Sequence, residues 1–194
     1  MINKNDVIAF FDRCAPSWDA DIKRDDMVIN TILDNAGVRA GARVLDIACG
    51  TGVLIPDYIN RGVKCVVGVD ISPEMIKIAS SKFKDKDVSF VCADAETTFF
   101  GKDFDCIVIY NAFPHFCDVE RLLDNLCSML KKGGILTVAH GMSRDKVNGH
   151  HKGGAASVSN GLVSAEDLAL SFGKHLEVTT IISDERMYQV CGKK

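Results

Sequence analysis

The sequence has 194 residues, 47% of them hydrophobic, and a formal net charge of −3. This length and composition predict one continuous core and a single domain covering 1–194. No run of lysine and arginine exceeds two residues, which argues against nucleic acid as a partner. No apolar segment approaches the ~20 residues that cross a bilayer, and no export signal is visible, so we expect a cytoplasmic protein with no membrane partner.

The sequence contains eight cysteines, none of them in a CxxC pair. Most lie inside apolar runs, which is typical of reduced, buried thiols rather than of a disulfide framework. This pattern agrees with the expected cytoplasmic location.

Two amphipathic helices are predicted in the first 40 residues, one around Val7 and one around Ile29, with residues 15–25 as a loop between them. Short β-branched runs then alternate with helical patterns. This alternation predicts a parallel sheet. The strand candidates are residues 42–47, 64–69, 88–92, 105–110 and 134–139.

Helices are predicted to connect these strands. Ser72 followed by Pro73 is a typical helix start, and the apolar residues at 122–130 share one helical face. Two lysines and two glycines at 131–134 indicate the end of that second helix. A capping box at Ser164 opens a third helix that ends near residue 172.

The C-terminal third contains a predicted hairpin and a biased segment. Two β-like runs, 177–182 and 187–191, are separated by polar residues and predict an antiparallel hairpin. Residues 141–161 are rich in glycine, serine, asparagine and histidine and have no clear apolar period. Because loops of this length are usually functional or disordered, we expect 141–161 to be a mobile loop that acts as a lid over a substrate.

A glycine loop follows the first strand. Residues 44–52 read Val-Leu-Asp-Ile-Ala-Cys-Gly-Thr-Gly, a strand that carries an acid and then turns through two glycines, which let the backbone approach a ligand closely. A nicotinamide-binding loop would place a third glycine or alanine where this sequence has Ile55. The loop therefore disfavours a pyrophosphate cofactor.

Acids follow the next two strands. Asp70 stands 20 residues after Gly50, where a carboxylate accepts both hydroxyls of an unphosphorylated ribose. Asp94 follows the third strand, positioned to accept from an adenine amino group, although it also fits an ordinary surface turn. The two acids predict a nucleoside ligand.

These residues resemble the class I S-adenosylmethionine-dependent methyltransferases. Five motifs occur in the family's order, and the resemblance runs from about Phe10 to the C-terminus. It implies a doubly wound, mostly parallel, seven-stranded Rossmann-like sheet with a C-terminal antiparallel hairpin, and residues 1–40 as helices covering the site. The matching motifs are residues 44–52, 68–72, 93–95, 104–113 and 130–138.

By this resemblance the cofactor is S-adenosylmethionine. Asp46 and the two loop glycines would hold its methionine and ribose end, Asp70 the ribose hydroxyls, and Asp94 with the Ala95 amide the adenine. Residues 10–19 are similar to the start of the quinone C-methyltransferase branch, and Trp18 stands where that branch has an aromatic over the cofactor. Trp18 also fits an anchor for the N-terminal helix. The implied cofactor-binding residues are Trp18, Asp46, Ala48, Gly50, Gly52, Asp70, Ile71, Met75, Asp94, Ala95 and Asn111.

Four histidines follow the fourth and fifth strands: His115, His140, His150 and His151. Ligands of open α/β sheets bind beyond the carboxyl ends of the strands, so these side chains are candidate catalytic bases near the methyl acceptor. Each also fits a polar loop residue that bonds to backbone. A metal site is a further alternative, but no HxH, HxxxH or HxxEH spacing occurs, and we predict no metal.

The predicted function is methyl transfer from S-adenosylmethionine to a small molecule. Residues 111–114, Asn-Ala-Phe-Pro, depart from the Asn-Pro-Pro-aromatic pattern of enzymes that methylate adenine or glutamine amino groups. No added domain is visible that would grip a macromolecule. The alternative is a sensor or partner module that binds S-adenosylmethionine without catalysis, and the oligomeric state stays open.

Overall fold

The computed structural model describes residues 2–20, 22–84, 87–151 and 155–194. Its centre is one seven-stranded sheet with the order β3-β2-β1-β4-β5-β7-β6. The strands are β1 (Arg43–Ile47), β2 (Cys65–Asp70), β3 (Val88–Cys92), β4 (Phe104–Tyr110), β5 (Leu130–His140), β6 (Glu177–Ser183) and β7 (Tyr188–Lys193).

Strands β1 to β5 are parallel, whereas β7 runs antiparallel to both β5 and β6. The predicted parallel sheet and the C-terminal hairpin are therefore confirmed. The strand order reverses between β1 and β4. In such sheets the carboxyl ends of the strands on either side of this point diverge and leave a crevice for a ligand.

Seven α-helices flank the sheet in the described part of the chain. Ser72 caps α4 by accepting from the amide of Met75, and Ser164 caps α7 in the same way, as the sequence predicts. The helices are α1 (Lys4–Cys14), α2 (Asp26–Asn35), α3 (Ile55–Asn60), α4 (Pro73–Lys82), α5 (Val119–Met129), α6 (Arg144–His151) and α7 (Ala165–Phe172). None of them is both long and apolar enough to span a bilayer.

Both faces of the central strands of the sheet are buried. Alternate residues of β4 enter different clusters: Ile107 packs with Leu126 of α5, and Val108 packs with Tyr58 of α3. A sheet covered on both faces needs strands that are apolar on both sides, which explains the continuous apolar run of β4. The crevice at the carboxyl ends therefore has a rigid floor.

Two predicted connections differ in the structure. Residues 131–134 do not stop a helix, because α5 ends at Met129 and β5 begins at Leu130. The ammonium group of Lys194 donates to the carbonyls of Cys127 and Leu130, so it takes the capping role that the glycines were expected to have. The predicted loop 15–25 contains a 3₁₀ turn at Ala15–Ala20.

The expectation that 141–161 is a loop throughout is wrong, because this range contains α6 and a 3₁₀ turn at Ala156–Val158. Residues 152–154 lie outside the described part. Helix α6 has little apolar period and buries mainly Val147. It is held instead by polar contacts: Asn148 donates to the Leu162 carbonyl and accepts from the Leu162 amide, and Arg144 donates to the same carbonyl.

We expect Asn148→Ala to loosen α6, because the substitution removes both hydrogen bonds between this side chain and Leu162. The expected loss is about 1–2 kcal/mol locally. Trypsin should then cleave after Arg144 and Lys146 faster than in the wild type, as read by mass spectrometry. Asn60→Ala at the exposed end of α3 is the control. Equal cleavage rates in the two variants would show that the Leu162 contacts do not hold the helix.

Candidate functional site

A cavity of about 470 Å³ lies at the carboxyl ends of β1 to β5. Loops after all five parallel strands contribute to its wall, and the N-terminal helix closes it from above. The structure thus brings most of the sequence-predicted residues to one place. The predicted residues that line the cavity are Trp18, Asp46, Ala48, Gly50, Asp70, Ile71, Met75, Asp94, Ala95, Asn111, His115, His140 and His150.

Two predicted residues are not among them. Gly52 does not line the cavity, and its backbone has φ +87°. A Cβ added there would lie 2.6 Å from the ring of Phe83, so glycine is required at this position for packing at the end of α4. The side chain of His151 lies outside the described part of the structure.

Asp46 is the deepest acid of the site, with 2% of its surface exposed. Its Oδ2 accepts no hydrogen bond from any described residue. Burial raises the pKa of Asp46 to about 8. The Tyr58 hydroxyl lowers this pKa, and the charge of Asp70 raises it. An orphaned carboxylate oxygen in a cavity is suited to receive a cationic donor such as an ammonium group.

Asp70 joins the first two loops. One carboxylate oxygen accepts from the Gly50 amide at 2.8 Å and the other accepts from the Ser72 amide at 2.9 Å. Burial raises the pKa of Asp70 to about 6, although these amides favour the charged form. The carboxylate therefore fixes the glycine loop to the end of β2 and still lines the cavity.

Backbone strain marks both sides of the crevice. Ala48 after β1 and Asn111 after β4 have φ of 55° and 56°, a left-handed conformation that few side chains adopt. The side chain of Asn111 also accepts from the Gly141 amide at 2.9 Å, which links the ends of β4 and β5. The two strained residues flank the reversal in strand order.

Residues 2–20 form an N-terminal strap that crosses the cavity. At its start, the ammonium group of Lys4 lies 2.6 Å from Asp94 and 2.6 Å from Glu96, both after β3. Glu96 is 3% exposed and also accepts from the amides of Cys117 and Asp118. The loop after β3 is thereby tied both to the strap and to the start of α5.

Two aromatic–acid pairs, seven residues apart, fasten the rest of the strap. Asp12 accepts from the Ser72 hydroxyl at 2.5 Å, and Asp19 accepts from the Thr51 hydroxyl at 2.5 Å. The preceding aromatic residue in each pair, Phe11 or Trp18, lines the cavity. The Trp18 indole nitrogen lies 3.7 Å from the position that a Cβ of Gly50 would occupy.

The acceptor end of the cavity contains His115 and His140. Nδ1 of His115 lies 2.7 Å from the carbonyl oxygen of Val158. Because a carbonyl only accepts, we assign the proton to Nδ1, which leaves the lone pair of the neutral ring on Nε2. His140 is 2% exposed at the end of β5, and its ring packs edge-on against Tyr188 at 6.0 Å.

No group of three histidine, cysteine or acidic side chains with metal-binding geometry occurs among the described residues. His175 lies elsewhere and pairs with Asp124 at 3.2 Å. All eight cysteines are unpaired with one another.

Several lining residues were not predicted from the sequence. Lys4, Phe11, Glu96 and Tyr110 belong to this group. The repeated aromatic–acid dipeptide at 11–12 and 18–19 is the one local pattern that points to the strap. The contact between Lys4 and Asp94 spans 90 residues and has no local pattern.

Comparison with known proteins identifies the family. Residues 44–134 match the model of a methyltransferase domain. Over 139 residues, 70% of this chain and 49% of the relative, the sequence is 31% identical to malonyl-[acyl-carrier protein] O-methyltransferase of Acetivibrio thermocellus. The chain belongs to the class I S-adenosylmethionine-dependent methyltransferases.

Other methyltransferases extend this comparison. The ubiquinone/menaquinone biosynthesis C-methyltransferase UbiE of Yersinia enterocolitica is 37% identical over 115 residues, 55% of this chain and 45% of the relative. The chain therefore spans about half the length of these curated relatives. Magnesium protoporphyrin IX methyltransferase (ChlM) of Synechocystis, solved with bound S-adenosylhomocysteine, shares the fold with a TM-score of 0.75 at 17% identity, covering 98% of this chain and 99% of that one.

The buried acid of this methyltransferase domain gives a pH-dependent prediction. A carboxyl whose pKa is raised by folding contributes stability at low pH that is lost as pH rises toward the folded value, here about 8. Asp46→Asn removes the titrating carboxyl, so the variant does not lose this stability as pH rises. In urea unfolding without ligand, the free energy of unfolding of the variant minus that of the wild type should increase by on the order of 2 kcal/mol from pH 5 to pH 8.

The control is the exposed Asn60→Ala, which removes no titratable group, so its difference from the wild type should not change with pH. A constant difference for Asp46→Asn as well would show that Asp46 is ionised throughout this range.

Proposed function

We propose that this protein transfers a methyl group from S-adenosylmethionine to a small-molecule acceptor. The observation that carries the proposal is the pair of buried carboxylates, Asp46 and Asp70, at the ends of adjacent strands in one cavity. The cavity volume of about 470 Å³ falls within the range of small-molecule sites.

The residues present fit S-adenosylmethionine. The orphaned oxygen of Asp46 would accept from the cofactor's amino group, and Asp70 would accept from the ribose hydroxyls. Ile71 and Met75 would pack against the adenine, with Asp94 and the Ala95 amide at its edge. Bound in this way, the cofactor supplies an electrophilic methyl group on a cationic sulfur.

The acceptor would lie toward His115 and His140. Methyl transfer is an in-line displacement, so the main task of the wall is to hold the acceptor atom close to the methyl group. His115 would take a proton from the acceptor at Nε2, because Nδ1 already carries one. His150 on α6 would complete this side of the cavity.

A sensor that binds the cofactor without catalysis is the competing proposal. The histidines on the cavity wall favour an enzyme, since a sensor needs no candidate base there. The relatives named above are a methyltransferase of a carrier-bound malonyl group and one of quinone biosynthesis. Both names agree with a methyl acceptor of modest size.

Calorimetry tests the cofactor assignment. We expect S-adenosylhomocysteine to bind and NAD not to bind, because Asp46 and Asp70 match an amino group and an unphosphorylated ribose rather than a pyrophosphate. Asp70→Asn should weaken the binding of S-adenosylhomocysteine by about 1.5–3 kcal/mol. Tighter binding of NAD than of the sulfur nucleoside would leave the fold intact and refute the proposed function.

Catalysis is tested separately with S-adenosylmethionine carrying a labelled methyl group and a panel of small phenols, enols and carboxylic acids. His115→Gln should lower the rate of label transfer by about 10²-fold or more, while the affinity for S-adenosylhomocysteine stays nearly constant. His175→Gln, far from the cavity, is the control. Label transfer by His115→Gln at the wild-type rate would remove His115 from the chemistry.

A further inference from the structure

We propose that Phe11 is a positioning residue that couples closure of the N-terminal strap over the cofactor to the orientation of His115. This inference rests on the proposed function. The strap is fastened to the loops assigned to the cofactor, and its Phe11 side chain contacts His115 on the other side of the cavity.

Two acids fasten the strap to the loops after β1 and β2. Asp12 and Asp19 each contact a hydroxyl within a loop assigned to the cofactor: Ser72 is two residues after Asp70, and Thr51 directly follows Gly50. Asp19 also accepts from Lys82 of α4 at 2.7 Å. Because these hydroxyls belong to the loops themselves, a cofactor that orders the loops also orders the partners of the strap.

Phe11 of the strap contacts His115 across the cavity. The Phe11 ring packs edge-on against the His115 ring, with centroids 4.9 Å apart and an interplanar angle of 83°. On its other side it packs against Trp18 at 5.7 Å. Phe11 thus stands between the aromatic over the glycine loop and the imidazole at the acceptor end.

The closed strap restrains the imidazole of His115. The Val158 carbonyl holds Nδ1 of the His115 ring, and Phe11 packs against the same ring in a T-shaped contact. Helix α1 itself packs against the turn Ala156–Val158 that supplies this carbonyl. When the strap lifts, His115 loses its aromatic neighbour, and the turn that fixes its tautomer loses a supporting helix. The orientation of the imidazole is then less restrained.

Trp18 provides a direct readout of strap closure, because it is the one tryptophan of the sequence. Adding S-adenosylhomocysteine to the wild type should change the intensity and wavelength of its fluorescence. The double variant Asp12→Asn, Asp19→Asn weakens both fastenings, so a smaller change is expected at saturating ligand. An identical change in this variant would show that the two acids do not close the strap.

The coupling itself is read by nitrogen-15 NMR of the histidine rings with S-adenosylhomocysteine bound. His115→Asn identifies the His115 signals among the five histidines. In the wild type, Nδ1 should show a protonated shift and Nε2 an unprotonated shift. In Phe11→Leu and Phe11→Met the Nδ1 and Nε2 shifts should move toward a common average. Phe11→Tyr, which keeps an aromatic ring, should show the wild-type shifts.

Phe99→Leu is the control, since Phe99 is exposed and does not line the cavity. Its His115 shifts should equal those of the wild type. The affinity of the Phe11 variants for S-adenosylhomocysteine should change less than about threefold, because the cofactor contacts are made by other residues.

The outcomes separate the two proposals. Wild-type His115 shifts in both Phe11→Leu and Phe11→Met, with S-adenosylhomocysteine still bound, would overturn the coupling and leave the proposed function standing. Failure of S-adenosylhomocysteine to bind the wild type would overturn the proposed function and the coupling with it. Circular dichroism of each variant establishes that the comparison is made between folded proteins.

Discussion

The site depends on one carboxylate that connects two backbone segments. Asp70 holds the amide of Gly50 with one oxygen and the amide of Ser72 with the other, and it is almost completely buried. A buried carboxylate is costly unless amides satisfy it, so the loops cannot separate without exposing an unpaired charge to an apolar wall. The position of the glycine loop, the start of α4 and the hydroxyls that meet the strap all follow from this junction.

Charge is divided unequally around the cavity. The acids stand at the carboxyl ends of β1, β2 and β3, whereas the histidines stand at the carboxyl ends of β4 and β5 and on α6. This division follows from the topology, because the reversal in strand order places these two groups of loops on opposite sides of the crevice. On the proposed function, the cationic methyl donor would lie against the acids and the acceptor against the histidines.

The sequence predicts what is local. The strands, the hairpin and the caps at Ser72 and Ser164 follow from periodicity and neighbouring residues, and the loops that carry Asp46 and Asp70 follow from a motif in register. Helix α6 was missed because it is stabilised by hydrogen bonds to Leu162 rather than by an apolar face. Gly52 was assigned to the ligand because a glycine required by packing has the same sequence pattern as one required by a ligand. The Lys4 contacts were invisible because they join distant residues.

The reversal of strand order between β1 and β4 also has an evolutionary consequence. The loops after β1 and β2 form one group, fastened to each other by the Asp70 carboxylate, whereas His115 and α6 form a second group, held by the backbone at Val158 and Leu162. Substitutions in the second group can reshape the pocket without disturbing the first. On the proposed function, the acceptor preference of this scaffold can change while the methyl donor stays the same.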